Sequence, residues 1–343
     1  MSRKLYIILG NGFTIDFLSH ARLSSDVDVR NLFRYGACVP WPVDGEPGFL
    51  SFKHCPNLWN LGARPNMDDD AATALIEDII TCVNVFVSAP RTTTVGQEGR
   101  PNDIYSYAYK ELAIYLKHLF IYYDTKVDAL PDCNSWGWWE FFRHIAKSDY
   151  YSEITIVTYN YDVWLERLLT HCGIPFTVSL MQRKRASAKI SILKPHGSIS
   201  FAHKTIRDRN AFTISLNHEL LDGRPRDFVV KYDKMDENYL VNALIPPAGE
   251  AGRFNHSLAS AIRNRAKEQA TALGAGDDII ISGLSYWHVD RAELDELLVS
   301  CSPTVDVKMI NPSPSPSLNA VLASIFNNYI AYNAADVLKE FKR

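Results

Sequence analysis

The sequence predicts an α/β protein with a doubly wound parallel sheet and a large helical insertion. Three observations lead there. Leu5-Tyr6-Ile7-Ile8-Leu9 is wholly apolar and stops at Gly10. A short run without polar alternation is what a strand buried on both faces requires. Similar runs stand far down the chain at 154–157, ending at Thr158, at 279–281, ending at Ser282-Gly283, and at 305–310, ending at Asn311-Pro312. Parallel sheets are built from such strands, and doubly wound sheets hold ligands beyond the carboxyl ends of their strands. The residues just after these four runs are therefore expected to share one crevice.

The rest of the chain reads as cover and connection. Asp68-Asp69-Asp70 opens a helical run to about residue 87, with its carboxylates favourably placed against the helix dipole. A second helix is predicted over about 105–123, where Leu112, Tyr115, Leu116 and Leu119 recur at helical spacing. Residues 19–149 thus form the predicted helical insertion, and its closing aromatics, Trp136, Trp138 and Trp139, are assigned to packing. A second insertion is expected over 203–257. A helix over 258–273 leads to a glycine stop at 274–276. The proline-serine alternation at 312–317 reads as a loop between the fourth strand and a final helix. All of this makes one domain, with its core drawn from about 1–18, 150–202 and 275–343.

Composition narrows the function classes. At 343 residues and 47% hydrophobic the chain can bury a large core. A formal charge of -3 gives no global pull toward nucleic acid or an anionic membrane, so direct nucleic-acid binding is not expected. The basic stretch Gln182-Arg183-Lys184-Arg185 reads as a solvated loop. The six cysteines form no CxxC pair, so free thiols and no metal site are expected. No apolar run approaches the roughly 18 residues of a membrane span, and the apolar start is shorter than a signal peptide, so a cytoplasmic location is expected.

The strand ends carry the candidate chemistry. Gly10-Asn11-Gly12-Phe13-Thr14-Ile15-Asp16 is a glycine turn entering a helix, where backbone amides can approach a pyrophosphate; glycine also serves such turns for steric reasons alone. Thr158-Tyr159-Asn160-Tyr161-Asp162 sets polar groups where the second strand meets the crevice. Asn160 can orient a hydroxyl or a water, while Asp162 can hold a sugar hydroxyl or cap the next helix. Lys194-Pro195-His196-Gly197-Ser198 places a histidine, the side chain best suited to proton transfer near neutrality, in a rigid turn. The third strand closes on Gly283 and Ser285, with Asp290 beyond, and the fourth on Asn311.

Gly-Asn-Gly, Thr-x-Asn-x-Asp, His-Gly, Gly-x-Ser with a following Asp, and Ile-Asn occur here in the serial order of the sirtuin superfamily. The chain resembles that family over 1–18, 150–202 and 277–315. The resemblance implies a Rossmann-like core that binds NAD as substrate, with Asn160 and His196 at the nicotinamide-ribose site and Asp162 in the same loop. It implies a dinucleotide-binding set of Gly10, Asn11, Gly12, Phe13, Thr14, Asp16, Thr158, Gly283, Ser285, Asp290 and Asn311. Sirtuin deacylases carry a four-cysteine zinc module between the histidine and the Gly-x-Ser turn, whereas residues 197–282 here contain no cysteine. In that respect the chain looks like the sirtuin-like NAD hydrolases of bacterial anti-phage defence, and its opening is similar to that of the abortive-infection AbiH proteins. The expected activity is cleavage of NAD to nicotinamide and ADP-ribose, with deacylase, ADP-ribosyltransferase and non-catalytic NAD or ADP-ribose sensor as alternatives. Control is expected through a homo-oligomer or a partner such as a HerA-type hexameric ATPase or a short Argonaute.

Overall fold

The computed structural model describes residues 3–88, 104–127, 133–183, 186–216, 222–246, 257–287 and 291–340. The chain opens with β1 (Arg3–Leu9) and α1 (Asn11–His20), followed by α2 (Pro56–Asn60), α3 (Asp69–Ser88), α4 (Ile104–Lys126) and α5 (Gly137–Lys147). Next come β2 (Tyr151–Thr158), α6 (Trp164–His171), β3 (Phe176–Val178) and β4 (Ile190–Leu193). A small antiparallel pair, β5 (Phe201–His203) and β6 (Phe228–Val230), stands apart from the main sheet. The last part alternates as α7 (Ser257–Thr271), β7 (Asp278–Ser282), α8 (Arg291–Leu298), β8 (Asp306–Ile310), α9 (Pro316–Ile325) and β9 (Asn328–Tyr332).

Seven strands form one parallel sheet in the order β3-β4-β2-β1-β7-β8-β9. The architecture is the doubly wound, Rossmann-like α/β fold that the apolar runs predict. From β1 the sheet grows outward in both directions, toward β2 on one side and β7 on the other, which makes the gap beyond β1 the topological switch point. Register sharpens that point. Leu9 stands opposite Thr158 of β2 and Ser282 of β7, so three turns leave the sheet at one level.

Side-chain alternation explains why the strand sequences show no polar period. In β1, Leu5, Ile7 and Leu9 enter one core while Tyr6 and Ile8 enter the other. Both faces are covered, so both sets of positions must be apolar. The first face carries α1, α3, α4, α5 and α6. In α5, Trp138, Phe141, Phe142 and Ile145 fall on one stripe, and in α4 Leu112, Tyr115, Leu116 and Leu119 do the same. The helices between β1 and β2 are therefore a layer of the main core rather than an appendage. The second face carries α7, α8 and α9 through Leu258, Ile262, Ala266, Leu294, Leu298 and Leu322.

Three strands of the sheet went unread in the sequence. β3 is only three residues long, and Ser191 interrupts the apolar run of β4. β9 lies at the sheet edge with most of its residues exposed, so no apolar run announces it, and α9 is not the last element. The six cysteines form no disulfide, and no helix among the described residues is long and apolar enough to cross a membrane.

Trp138, with Trp164 one of the two largest fully buried side chains among the described residues, packs against Phe13 and Phe142. Trp138→Ala is expected to lower unfolding free energy by about 3–5 kcal/mol, read as a fall in the denaturant midpoint at unchanged slope.

Candidate functional site

A crevice of about 1080 Å³ opens over the carboxyl ends of the central strands. Gly10, Asn11, Gly12 and Asp16 line it from the β1 turn and α1, and Asn160 and Asp162 from the turn after β2. His196 comes from the turn after β4, Gly283 and Ser285 from the turn after β7, and Asn311 from the end of β8. Phe13, Thr14 and Thr158 lie behind this wall. Phe13 is buried against Trp136 and Trp138, Thr14 is buried beneath the Asn160 turn, and the Thr158 hydroxyl accepts from the Asn160 amide at 3.3 Å. Asp290, Lys184 and Arg185 fall outside the described residues.

The two glycine turns meet backbone to backbone. The Gly10 amide donates to Ser282 O at 3.0 Å, and the Gly12 amide to Gly283 O at 2.9 Å. A Cβ on Gly12 would stand 2.4 Å from Gly283 Cα, and Gly283 has a φ of +64°, where a side chain is strained in any surroundings. The Phe13 amide closes on Gly10 O at 3.0 Å. The Gly12 and Phe13 amides are thus engaged within the protein, and the dipole of α1 is what this turn offers an anion.

Asn160 is held on two sides. Its Nδ2 donates to Gly10 O at 3.1 Å and to Thr14 Oγ1 at 3.0 Å, and the Thr14 hydroxyl donates in turn to Asp162 Oδ2 at 2.7 Å. With both amide protons committed, Oδ1 is the remaining hydrogen-bonding atom of the Asn160 side chain. Asp162 Oδ1 accepts from the Trp164 amide, the first of α6, at 3.1 Å, but the cap position itself is Val163, so Asp162 holds the approach to the helix and the Thr14 hydroxyl with one carboxylate without being its N-cap. Burial pushes the Asp162 carboxyl above its ordinary range, against the pull of Lys194 and the Thr14 hydroxyl. Lys194 Nζ, almost fully buried, donates to Asp162 O and to Glu166 Oε1, the latter at 3.0 Å.

His196 lines the same crevice from the turn after β4, the neighbour of β2 in the sheet. Its ring packs edge-on against Tyr159 with centroids 4.9 Å apart, and its Nε2 stands 3.3 Å from Glu293 Oε2 on α8. The backbone of the turn is equally constrained. His196 O accepts from the Ile245 amide at 3.0 Å, and Gly197 has a φ of +81° with Ala243 O where a Cβ would be.

Other positions at the crevice carry less obvious signals. Trp136, assigned to packing, is buried as expected but also borders the crevice, where its Nε1 donates to Asp16 Oδ2 at 2.8 Å. Burial raises the Asp16 carboxyl, with that hydrogen bond and His20 pulling it down. Asn311 ties two turns together, donating from Nδ2 to Leu284 O at 3.2 Å and accepting at Oδ1 from the Ser313 amide at 3.1 Å. Sequence reasoning missed Glu166, Arg263 and Glu293. Each lies on a helix whose apolar stripe explains the element without it. Lys194 was quoted within its motif but given no task.

Comparison with models of known families finds none that matches the chain, and comparison with curated proteins finds no match either. Among the described residues no group of three or more His, Cys, Asp or Glu side chains could hold a metal ion. What the fold and the crevice define is a doubly wound α/β protein whose switch-point crevice sets a few polar side chains in a largely apolar lining.

Gly12→Ala is expected to force the two turns apart and cost about 1–3 kcal/mol. Gly274→Ala, whose added Cβ meets nothing within 4 Å, serves as control and stays within about 0.5 kcal/mol of wild type. Urea titration of both variants reads the difference, and equal loss in the two would show that the Gly12–Gly283 approach does not constrain the fold.

Proposed function

We propose that this protein is an NAD hydrolase that cleaves the nicotinamide-ribose bond to give nicotinamide and ADP-ribose. The observation that carries the reading is the meeting of Asn160 and His196, from separate strands, with the Gly10-Asn11-Gly12 turn in one crevice at the switch point. Open parallel sheets bind nucleotides in that place. The order of these motifs along the chain, which resembles that of sirtuins, supplies the choice of NAD.

In the proposed reaction the bond between C1′ and the pyridinium nitrogen breaks, and its electron pair stays with nitrogen. Nicotinamide leaves neutral and the ribosyl carbon takes on oxocarbenium character. Water then bonds to C1′ and passes a proton to His196, which returns it to solvent. Asn160, rigid through its contacts to Gly10 O and Thr14, presents Oδ1 to a ribose hydroxyl or to that water. Such positioning lowers the barrier because the alignment is already in place before the reaction. Asp162 orders the turn and needs no contact with substrate. Leu112, Leu116 and Phe120 of α4 border the same crevice and supply an apolar surface against which a neutral aromatic leaving group can rest.

Uncontrolled NAD loss is toxic, so the hydrolase reading goes with restrained activity. We place it in abortive-infection defence against phage, with release by self-assembly or by a partner such as a HerA-type ATPase.

Nicotinamide release from NAD by the purified chain tests the reading, with wild type beside Asn160→Ala and His196→Ala over a range of protein concentrations. Wild type is expected to turn over, with a concentration threshold where assembly activates. Each variant is expected to lose about a hundredfold or more while keeping its fold. Full activity in His196→Ala would remove that residue from the mechanism, and label transferred to protein instead of free ADP-ribose would replace hydrolase by transferase. Saturable NAD binding without release, at every concentration and with candidate partners added, would favour a sensor.

A further inference from the structure

Thr14 is the site residue that the proposed reaction leaves without a task. The sirtuin-like order of motifs sets it among the dinucleotide-binding positions, yet it is 1% exposed and does not border the crevice. Any effect on a ligand must therefore pass through another residue. Its hydroxyl stands between two of them, 2.7 Å from Asp162 Oδ2 and 3.0 Å from Asn160 Nδ2. A hydroxyl has one proton to donate and lone pairs with which to accept, so the two contacts cannot both be donations. The far ends of the chain decide which is which. Gly10 O, 3.1 Å from Asn160 Nδ2, is a carbonyl and can only accept, so Nδ2 and not Oδ1 is the atom turned toward α1. An amide nitrogen does not accept, and its second proton therefore goes to Thr14 Oγ1. The hydroxyl proton of Thr14 is left for Asp162, whose other oxygen already accepts from the Trp164 amide at 3.1 Å.

We infer that Thr14 is a positioning residue: its hydroxyl, a donor to Asp162, offers Asn160 only lone pairs and so keeps the Asn160 amide in one orientation, with Oδ1 as the atom left for a ligand. Lys194 holds the acceptor end of the chain in place, since its Nζ donates to Asp162 O and to Glu166 Oε1. Burial pushes the Asp162 carboxyl up, and Lys194 and then the Thr14 hydroxyl pull it down. Without the Thr14 hydroxyl, Gly10 O would be the one acceptor for Asn160 Nδ2 among the described residues, and Asp162 Oδ2 would be buried without a donor. An amide held at one point can turn, and the alignment that lowers the barrier would then have to be found at each encounter. The inference rests on the reading of Asn160 as the residue that orients a ribose hydroxyl or a water, but the hydrogen bonding of its amide can be measured without turnover.

Selective ¹⁵N-asparagine labelling of the full chain, with the Asn160 side-chain signals assigned from Asn160→Ala, reads the solvent exchange of its two amide protons. Both are expected to exchange slowly in wild type and in Thr14→Ser, which keeps the hydroxyl. In Thr14→Val, close to threonine in shape, at least one is expected to exchange about tenfold or more faster. Exchange in Thr14→Val that matches wild type, or in Thr14→Ser that is no slower than in Thr14→Val, overturns the inference. Where Thr14→Val does not fold, wild type decides by itself, since Asn160 protons that exchange as fast as those of an exposed asparagine overturn it too. In nicotinamide release, Thr14→Val should lower kcat about tenfold or more, and Thr14→Ser should stay within about threefold of wild type. Wild-type kcat in a Thr14→Val protein whose amide already exchanges faster overturns the link to catalysis. A wild type that releases no nicotinamide, yet whose Asn160 amide answers to Thr14, counts against NAD hydrolysis and leaves the positioning role standing.

Discussion

Gly12 and Gly283 pass so close over the end of β1 that neither can carry a side chain, and the geometry of the crevice follows from that approach. The hydrogen bonds from Gly10 to Ser282 and from Gly12 to Gly283 join the two halves of the sheet just beyond its strands. They also set where α1 begins. Once α1 is placed, Thr14 lies within reach of Asp162 and Asn160, and Asp16 within reach of Trp136. A turn suited in principle to cradling phosphate spends two of its amides on this join instead.

Around that join the protein buries charge, and the buried charges sit at the joints between elements. Lys194 bridges the end of β4 to the Asp162 backbone and to Glu166 of α6. Glu293 bridges the next turn of the same segment to α7 and α8. Buried ion pairs add little net stability once desolvation is counted, but removing one partner strands the other. Their effect here is to leave the segment 194–197 a single arrangement. Gly197 contributes to this by a different route, since its positive φ and the nearby Ala243 carbonyl exclude any side chain. A histidine on such a segment has little freedom to turn its ring, a precondition for selective proton transfer.

The sheet was readable wherever a strand is buried on both faces, because burial alone dictates an unbroken apolar run. β1, β2, β7 and β8 meet that condition, and the helices of the first layer announce themselves through the stripes of Leu112 to Leu119 and, in α5, Trp138 to Ile145. β9 does not meet it, since an exposed edge strand needs no apolar run, and β3 is too short to carry a pattern. The turn residues were readable as polar groups placed directly after apolar runs. Their division of labour was not: Asn160, Thr14 and Asp162 are separated by up to 148 positions, yet form one hydrogen-bonded chain.

By itself the sequence determined the doubly wound sheet, the site of its crevice and the presence there of Gly10 and Asn160, because each of these follows from a local pattern of burial or turn chemistry, whereas His196 follows β4, a strand that no unbroken apolar run announced. Only the tertiary structure decided that Gly12 serves packing, that Asn160 keeps one free acceptor, and that Glu293 stands behind His196. In α8, Glu293 lies near Asp295 and Glu296 on a helix whose apolar positions are Leu294, Leu297 and Leu298. Nothing in that local sequence separates a solvated carboxylate from one pressed against an imidazole. The difference arises when α8 docks on the sheet, since burial and partner choice are properties of the packed molecule rather than of the chain.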